Sequence, residues 1–128
     1  MEKKTVVCKK NPIIPLMGVC DPHMHVFNDR VWLHATHDAI PGCDYFCMHD
    51  WQIWSSADCV EWQLESVIRP EDFHMGPSNQ CWAVDCEERN GKYYFYFSDG
   101  GDTLTVRYYS VAHDRYGSVA SQFTIDLT

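Results

Sequence analysis

The sequence predicts an all-β protein built of antiparallel, propeller-type blades, and three observations predict it. Short runs of alternating apolar and polar residues recur along the chain. Turn-forming pairs separate these runs at regular spacing, and no stretch sustains the 3.6-residue period of an amphipathic helix. The unit recurs after about 45 residues, the length of a four-stranded blade, so the chain suffices for about two blades and a remnant. A small sandwich gives a similar rhythm, and periodicity alone does not separate the two.

Residues 1–10 form an N-terminal arm, residues 11–101 the blades, and residues 102–128 a β-rich tail of unassigned origin. Asn11-Pro12-Ile13-Ile14-Pro15 is an extended lead-in, because proline disfavours helix at and before its own position. Met24-His25-Val26-Phe27, the polar turn Asn28-Asp29 and the alternating run Arg30 to Thr36 make a hairpin. Residues 38–50 read as a loop around Pro41-Gly42. Residues 51–56 and 60–67 alternate again, with Ala57-Asp58 between them. The pattern then restarts at Cys81-Trp82-Ala83-Val84-Asp85. Asn90-Gly91 is a strong hairpin turn, followed by Lys92 to Ser98 with aromatics on both faces. Residues 104–111 and 122–127 are the last strand-like runs.

Hydrophobic residues make up 45% of the chain and charged residues 22%, ordinary for a globular domain. The formal net charge is −8, so an anionic duplex or membrane surface is repelled overall and neither is an expected partner. Aromatic residues reach 14%. They fill β cores, and an exposed one offers a flat platform for a sugar ring. The seven cysteines (Cys8, Cys20, Cys43, Cys47, Cys59, Cys81 and Cys86) are odd in number and include no C-x-x-C pair, so reduced thiols are expected. Cys43-x3-Cys47 near His49 is a metal motif only in outline. The apolar run Val6-Val7-Cys8 is too short for a leader or a membrane span. A cytoplasmic location is expected for the sequence as it stands, and a secreted one if a leader has been removed.

Several ordered motifs carry a family resemblance. Asn11-Pro12-Ile13-Ile14-Pro15 leads to Asp21-Pro22. A hairpin then ends in Leu33-His34-Ala35-Thr36-His37-Asp38, with His34 where a Tyr is usual. Asp50-Trp51-Gln52-Ile53-Trp54-Ser55-Ser56 follows, then Cys59-Val60-Glu61-Trp62, Cys81-Trp82-Ala83-Val84-Asp85 and Asn90-Gly91-Lys92-Tyr93-Tyr94-Phe95-Tyr96-Phe97-Ser98. In this order they resemble glycoside hydrolase family 43, the five-bladed propellers that cleave arabinose- and xylose-containing glycans, and the likeness covers roughly residues 11–100. It implies a plant-type oligosaccharide or polysaccharide as partner and no cofactor.

By that resemblance Asp21 is the catalytic general base, activating water for inverting attack at the anomeric carbon. Trp82 and Asp85 contact the sugar, and His37 and Asp38 line the funnel. Trp51, Trp54 and Trp62 are expected as blade core. The acid of the pair lies in a later blade in the family, and no glutamate here occupies a matching position. A truncated protein, weak or inactive alone, is therefore expected. An open set of blades exposes apolar faces and strand edges, which implies a homo-oligomer. Two alternatives stand beside the hydrolase. One is a non-catalytic sugar-binding or self-assembling fragment. The other is a metal-dependent hydrolase using Asp21-x-His23-x-His25, since residues two apart on a strand share a face; no metal is expected in the favoured reading.

Overall fold

The computed structural model describes residues 4–15, 18–40, 42, 44–72, 77–99, 103–110 and 119–126. Nine strands fall within these segments: β1 (Thr5–Val7), β2 (Val19–Phe27), β3 (Arg30–Asp38), β4 (Met48–Ser56), β5 (Glu61–Ile68), β6 (Cys81–Arg89), β7 (Lys92–Asp99), β8 (Thr103–Ser110) and β9 (Val119–Asp126). They form two antiparallel sheets, one of order β1-β5-β4-β3-β2 and one of order β6-β7-β8-β9. The only helical turn among the described residues is a 3-10 turn at Pro70–Asp72. The all-β architecture is thus the one that alternation predicts, and the two separate antiparallel sheets are blade-like.

The turns form where local chemistry demands them. Asn28 and Asp29 have φ of 51° and 59°, and Asn90 and Gly91 have 54° and 71°. Two consecutive positive φ values make the mirror-image turn whose twist suits a two-residue hairpin. Between β4 and β5, the Asp58 carboxylate accepts the backbone N–H of Val60 and of Glu61, each at 2.9 Å. Those amide bonds hold its carboxyl below the usual carboxylate range.

Two stretches differ from the sequence reading. β4 begins at Met48, inside the stretch read as loop, because Met48 pairs with Asp38 across a bulge and bridges in parallel to Gln80. The Met48 N–H donates to the Asn79 carbonyl at 3.1 Å, so neighbouring backbone rather than alternation recruits it. Residues 5–7, in the stretch read as an arm, form β1 and pair with β5. β8 and β9 lie in the stretch read as a tail and extend the second sheet.

Strand alternation gives the first sheet two apolar faces. One carries Leu33, Ala35, Trp54 and Trp62, and Ile14 of the lead-in segment lies against it. The other carries Trp51, Ile53 and Ile68 and packs on Cys81, Val84, Cys86, Phe95 and Phe97 of the second sheet. Trp51 sits at the middle of this seam and is fully buried. Its ring centroid lies 4.6 Å from that of Phe97 and 6.2 Å from that of Phe95, and its indole N–H donates to the Trp82 carbonyl at 2.8 Å. Truncating one such aromatic to Ala costs about 3–5 kcal/mol, several times a surface ion pair, so this seam dominates the contact between the sheets. The other expected core tryptophans, Trp54 and Trp62, are likewise buried. Cys47, Cys81 and Cys86 are buried free thiols, Cys59 is an exposed one, and Cys43 lies outside the described residues.

His34 is the unusual member of this core. Its side chain is fully buried on β3, and burial, then the nearby His25, push its pKa down to about 3 against the opposing pull of Asp85. The folded chain therefore holds His34 neutral while the unfolded chain protonates it near pH 6.5. Its contribution is complete above that pH and is lost as pH falls towards 3. Urea unfolding at stepped pH is expected to show stability falling below pH 6.5, with a shallower fall in His34→Phe. Equal slopes in the two proteins would remove His34 from the account.

Candidate functional site

Asp21 lies near the start of β2, at an edge of the first sheet. Cys20 pairs with Thr36 and His23 with His34, so Asp21 and Pro22 together oppose the single residue Ala35. This is a β-bulge, which breaks alternation and re-aims the side chains within it. Pro22 is compatible with this place, since a bulge on an edge strand requires least of its missing N–H. Asp21 takes the turn of the backbone, with φ of 45°, and its side chain is exposed. A non-glycine residue in the left-handed region inside a strand is held there by its surroundings, and such residues cluster at functional sites. The surroundings here are explicit. Thr36 Oγ1 donates to the Cys20 carbonyl at 3.1 Å, and the Asp38 N–H donates to the Gly18 carbonyl at 2.8 Å, pinning the chain just before the bulge.

Beyond the bulge, alternation resumes and places His23, His25 and Phe27 on the face turned to the second sheet. There they meet β6. His25 Nε2 lies 2.6 Å from Asp85 Oδ1, and His23 Nδ1 lies 3.5 Å from the same oxygen. The Cys86 backbone N–H also donates to that oxygen, at 2.7 Å. Burial raises the Asp85 pKa, but the His25 and Cys86 hydrogen bonds together outweigh it and leave the carboxyl below its ordinary value. The His25 ring stacks on Phe27 with centroids 5.6 Å apart and an interplanar angle of 8°, and Phe27 meets the edge of Tyr93 at 5.0 Å. Glu87, two residues along β6 from Asp85, brings its carboxylate to the same place. One ligand-type atom from each of His25, Asp85 and Glu87 lies within 4.8 Å of the others.

The remaining sequence candidates fall around this line. Trp82 is on β6 and 43% exposed, while its carbonyl is held by Trp51. His37 Nδ1 lies 2.9 Å from Asp50 Oδ1 on the neighbouring strand. Asp38 accepts the Ile40 N–H at 3.1 Å, a loop-capping bond. The structure therefore brings His25 and Asp85 together across 60 positions of sequence and leaves His37 and Asp38 bonded to their own loop and strand neighbours. Sequence reasoning placed His23 and His25 on one face but paired them with Asp21. Asp21 is not in the cluster that forms, because the bulge separates it from their alternation. No helix among the described residues is long and apolar enough to cross a membrane.

Comparisons with known proteins bear on this geometry. The profile of the family described as glycosyl hydrolases family 43 matches residues 9–123. The chain is 29% identical over 98 residues to a xylosidase/arabinosidase of Bacteroides ovatus, and 34% identical over 94 residues to one of Thermoclostridium stercorarium. These matches take in 70% and 68% of this chain but 30% and 20% of the relatives, so the chain spans about a third or less of their length. In fold it is similar to the GH43_1 enzyme from Xanthomonas citri complexed with xylose, with a TM-score of 0.69 at 24% identity, covering 88% of this chain and 34% of that one. It is also similar to RS223-Beta-xylosidase, with a TM-score of 0.64 at 28% identity, covering 91% of this chain and 37% of that one.

The strained backbone at Asp21 has a measurable signature. Asp21→Gly, which relieves the positive φ, is expected to keep folding stability within about 0.5 kcal/mol or raise it. Asp21→Val, β-branched in the same conformation, is expected to lower it by about 1–2 kcal/mol. Urea unfolding of both variants makes the comparison. A loss beyond about 1 kcal/mol in Asp21→Gly would mean that the carboxylate itself holds the fold.

Proposed function

The chain belongs to glycosyl hydrolase family 43, and from that membership we propose that it carries the base-bearing portion of a glycosidase acting on arabinofuranosyl or xylosyl linkages with inversion. The observation that carries this reading is Asp21: an exposed carboxylate in a left-handed backbone conformation, set in a bulge on an edge strand. A general base needs access to water, which the exposed side chain has, and the bulge sets the backbone from which it projects. Asp21 takes a proton from a water molecule as that water attacks the anomeric carbon from the face opposite the leaving oxygen. Trp82 offers its exposed ring as the sugar platform. The names of the curated relatives and the xylose-bound neighbour support a pentose-containing substrate.

An inverting reaction also needs a carboxylic acid to protonate the leaving oxygen, about 6.5–9.5 Å from the base. No glutamate of this chain matches that position in the family pattern. An aryl glycoside with a nitrophenolate leaving group departs without protonation, so it is the substrate on which an acid-deficient site still turns over. Slow release of nitrophenol from aryl xyloside or arabinofuranoside is expected, falling by about 10²–10⁴ in Asp21→Asn. Equal rates in wild type and Asp21→Asn would sink the assignment of the base.

A second reading, sugar binding without turnover, draws on the exposed Trp82. It is favoured if xylotriose binds, Trp82→Ala abolishes that binding, and no aryl glycoside is cleaved.

Self-association belongs to the same proposal. Met24 and Val26 lie on the face of β2 turned away from the second sheet and are 53% and 70% exposed. Two large apolar side chains on an edge strand favour contact with another apolar surface. Light scattering after size exclusion is expected to give a mass above the 14.9 kDa of one chain. The paired substitution Met24→Lys and Val26→Lys is expected to return it to that mass. A compact wild-type monomer at micromolar concentration would remove the proposal.

A further inference from the structure

The cluster between β2 and β6 shares Asp85 with the expected sugar contacts, and its composition differs from that of an acidic surface patch. It joins one imidazole to two carboxylates, from two different sheets, with the ligand-type atoms within 4.8 Å of one another. We infer that His25, Asp85 and Glu87 form a binding site for one divalent transition-metal ion of the zinc class, which ties the first sheet to the second.

Three features of the site support this. The first is direction. His25 and His23 share one face of β2, and Asp85 and Glu87 share one face of β6, because side chains two apart on a strand point the same way. Val84 and Cys86 are the residues of β6 that pack on the first sheet, and from this edge strand the Asp85 carboxylate still reaches His25. The second is orientation of the nitrogen ligand. His25 stacks nearly parallel on Phe27 and meets the buried His34 ring at 6.5 Å, so the imidazole is set before any ion arrives. Asp85 is set by the Cys86 N–H. The third is access. Glu87 is exposed, so an ion reaches the site from solvent and the third ligand closes behind it.

The geometry needs little adjustment. Ligand atoms about 2.0–2.1 Å from a tetrahedral zinc ion stand about 3.3 Å apart. The 2.6 Å contact between His25 Nε2 and Asp85 Oδ1 opens by a fraction of an ångström, and the Glu87 carboxylate, within 4.8 Å of both, lies in reach of the same ion. Before binding, His25 Nε2 donates its proton to the ionised Asp85. Binding replaces that proton with the metal, and the neutral imidazole then carries its single proton on Nδ1. Three protein ligands leave a fourth position, for water or for His23, whose Nδ1 is 3.5 Å from the Asp85 carboxylate. The imidazole favours a borderline ion over calcium or magnesium, which prefer all-oxygen surroundings.

The test is calorimetric titration of zinc chloride, and separately calcium chloride, into the full chain without an affinity tag. One zinc per chain is expected, with a rise in melting temperature and with calcium bound at least about ten-fold more weakly. Glu87→Gln sits at an exposed position and leaves the fold intact, so it is the decisive variant. It and His25→Gln are expected to weaken zinc binding at least about ten-fold. Cys47→Ser is expected to leave it unchanged. That control matters because Cys47 Sγ lies 3.1 Å from His49 Nε2 and offers a rival pair of ligands. Absence of zinc binding, tighter binding of calcium, or loss of binding in Cys47→Ser with retention in Glu87→Gln would each overturn the inference. A thiolate charge-transfer band in the cobalt-substituted protein would do the same.

Discussion

The seam around Trp51 is the contact on which the rest of the structure depends. The first sheet carries an apolar face on each side, and a sheet left with an open face gains too little to offset the entropy of ordering its strands. Trp51 answers this by packing against both Phe95 and Phe97 of the opposite sheet. Its one polar atom, which burial would otherwise leave costly, donates to the Trp82 carbonyl. One residue thereby joins the two sheets and fixes the backbone on which the exposed Trp82 ring is carried. Every inter-sheet feature, the His25–Asp85 contact included, presupposes that seam.

Much of the fold was legible because its signals are local. Alternation, the Asn28-Asp29 and Asn90-Gly91 turns and the absence of a helical period each act over a few residues, and each marked a strand or a hairpin where one stands. The start of β4 was not legible. Met48 joins the strand through the backbone of Asp38 and Asn79, a partner choice that no pattern within residues 38–50 encodes. β1 was hidden for the same reason: three residues are too few to show a period, and their pairing with β5 is set by tertiary contact.

The candidate site divides along the same line. The family motif marked Asp21, and the structure adds the bulge and the left-handed backbone that isolate it from its neighbours. The two histidines were visible as a same-face pair, since strand period alone puts them there. Their partner was not visible. Asp85 is 60 residues away from His25, and the sequence does not say which face of β6 meets which face of β2. His34 illustrates a further limit. A histidine in an alternating strand reads as neutral filler or as a polar surface residue, and only the packing around it reveals how strongly its charged form is disfavoured.

β2 and β6 are edge strands of separate sheets, and what joins them is side chains. A ladder of backbone hydrogen bonds is indifferent to residue type, whereas a side-chain contact is rewritten by a single codon change. The wall shared by these strands can therefore drift in charge, metal preference or sugar preference from one descendant to the next while both ladders stay in register. Such a seam separates what selection can vary from what folding must keep.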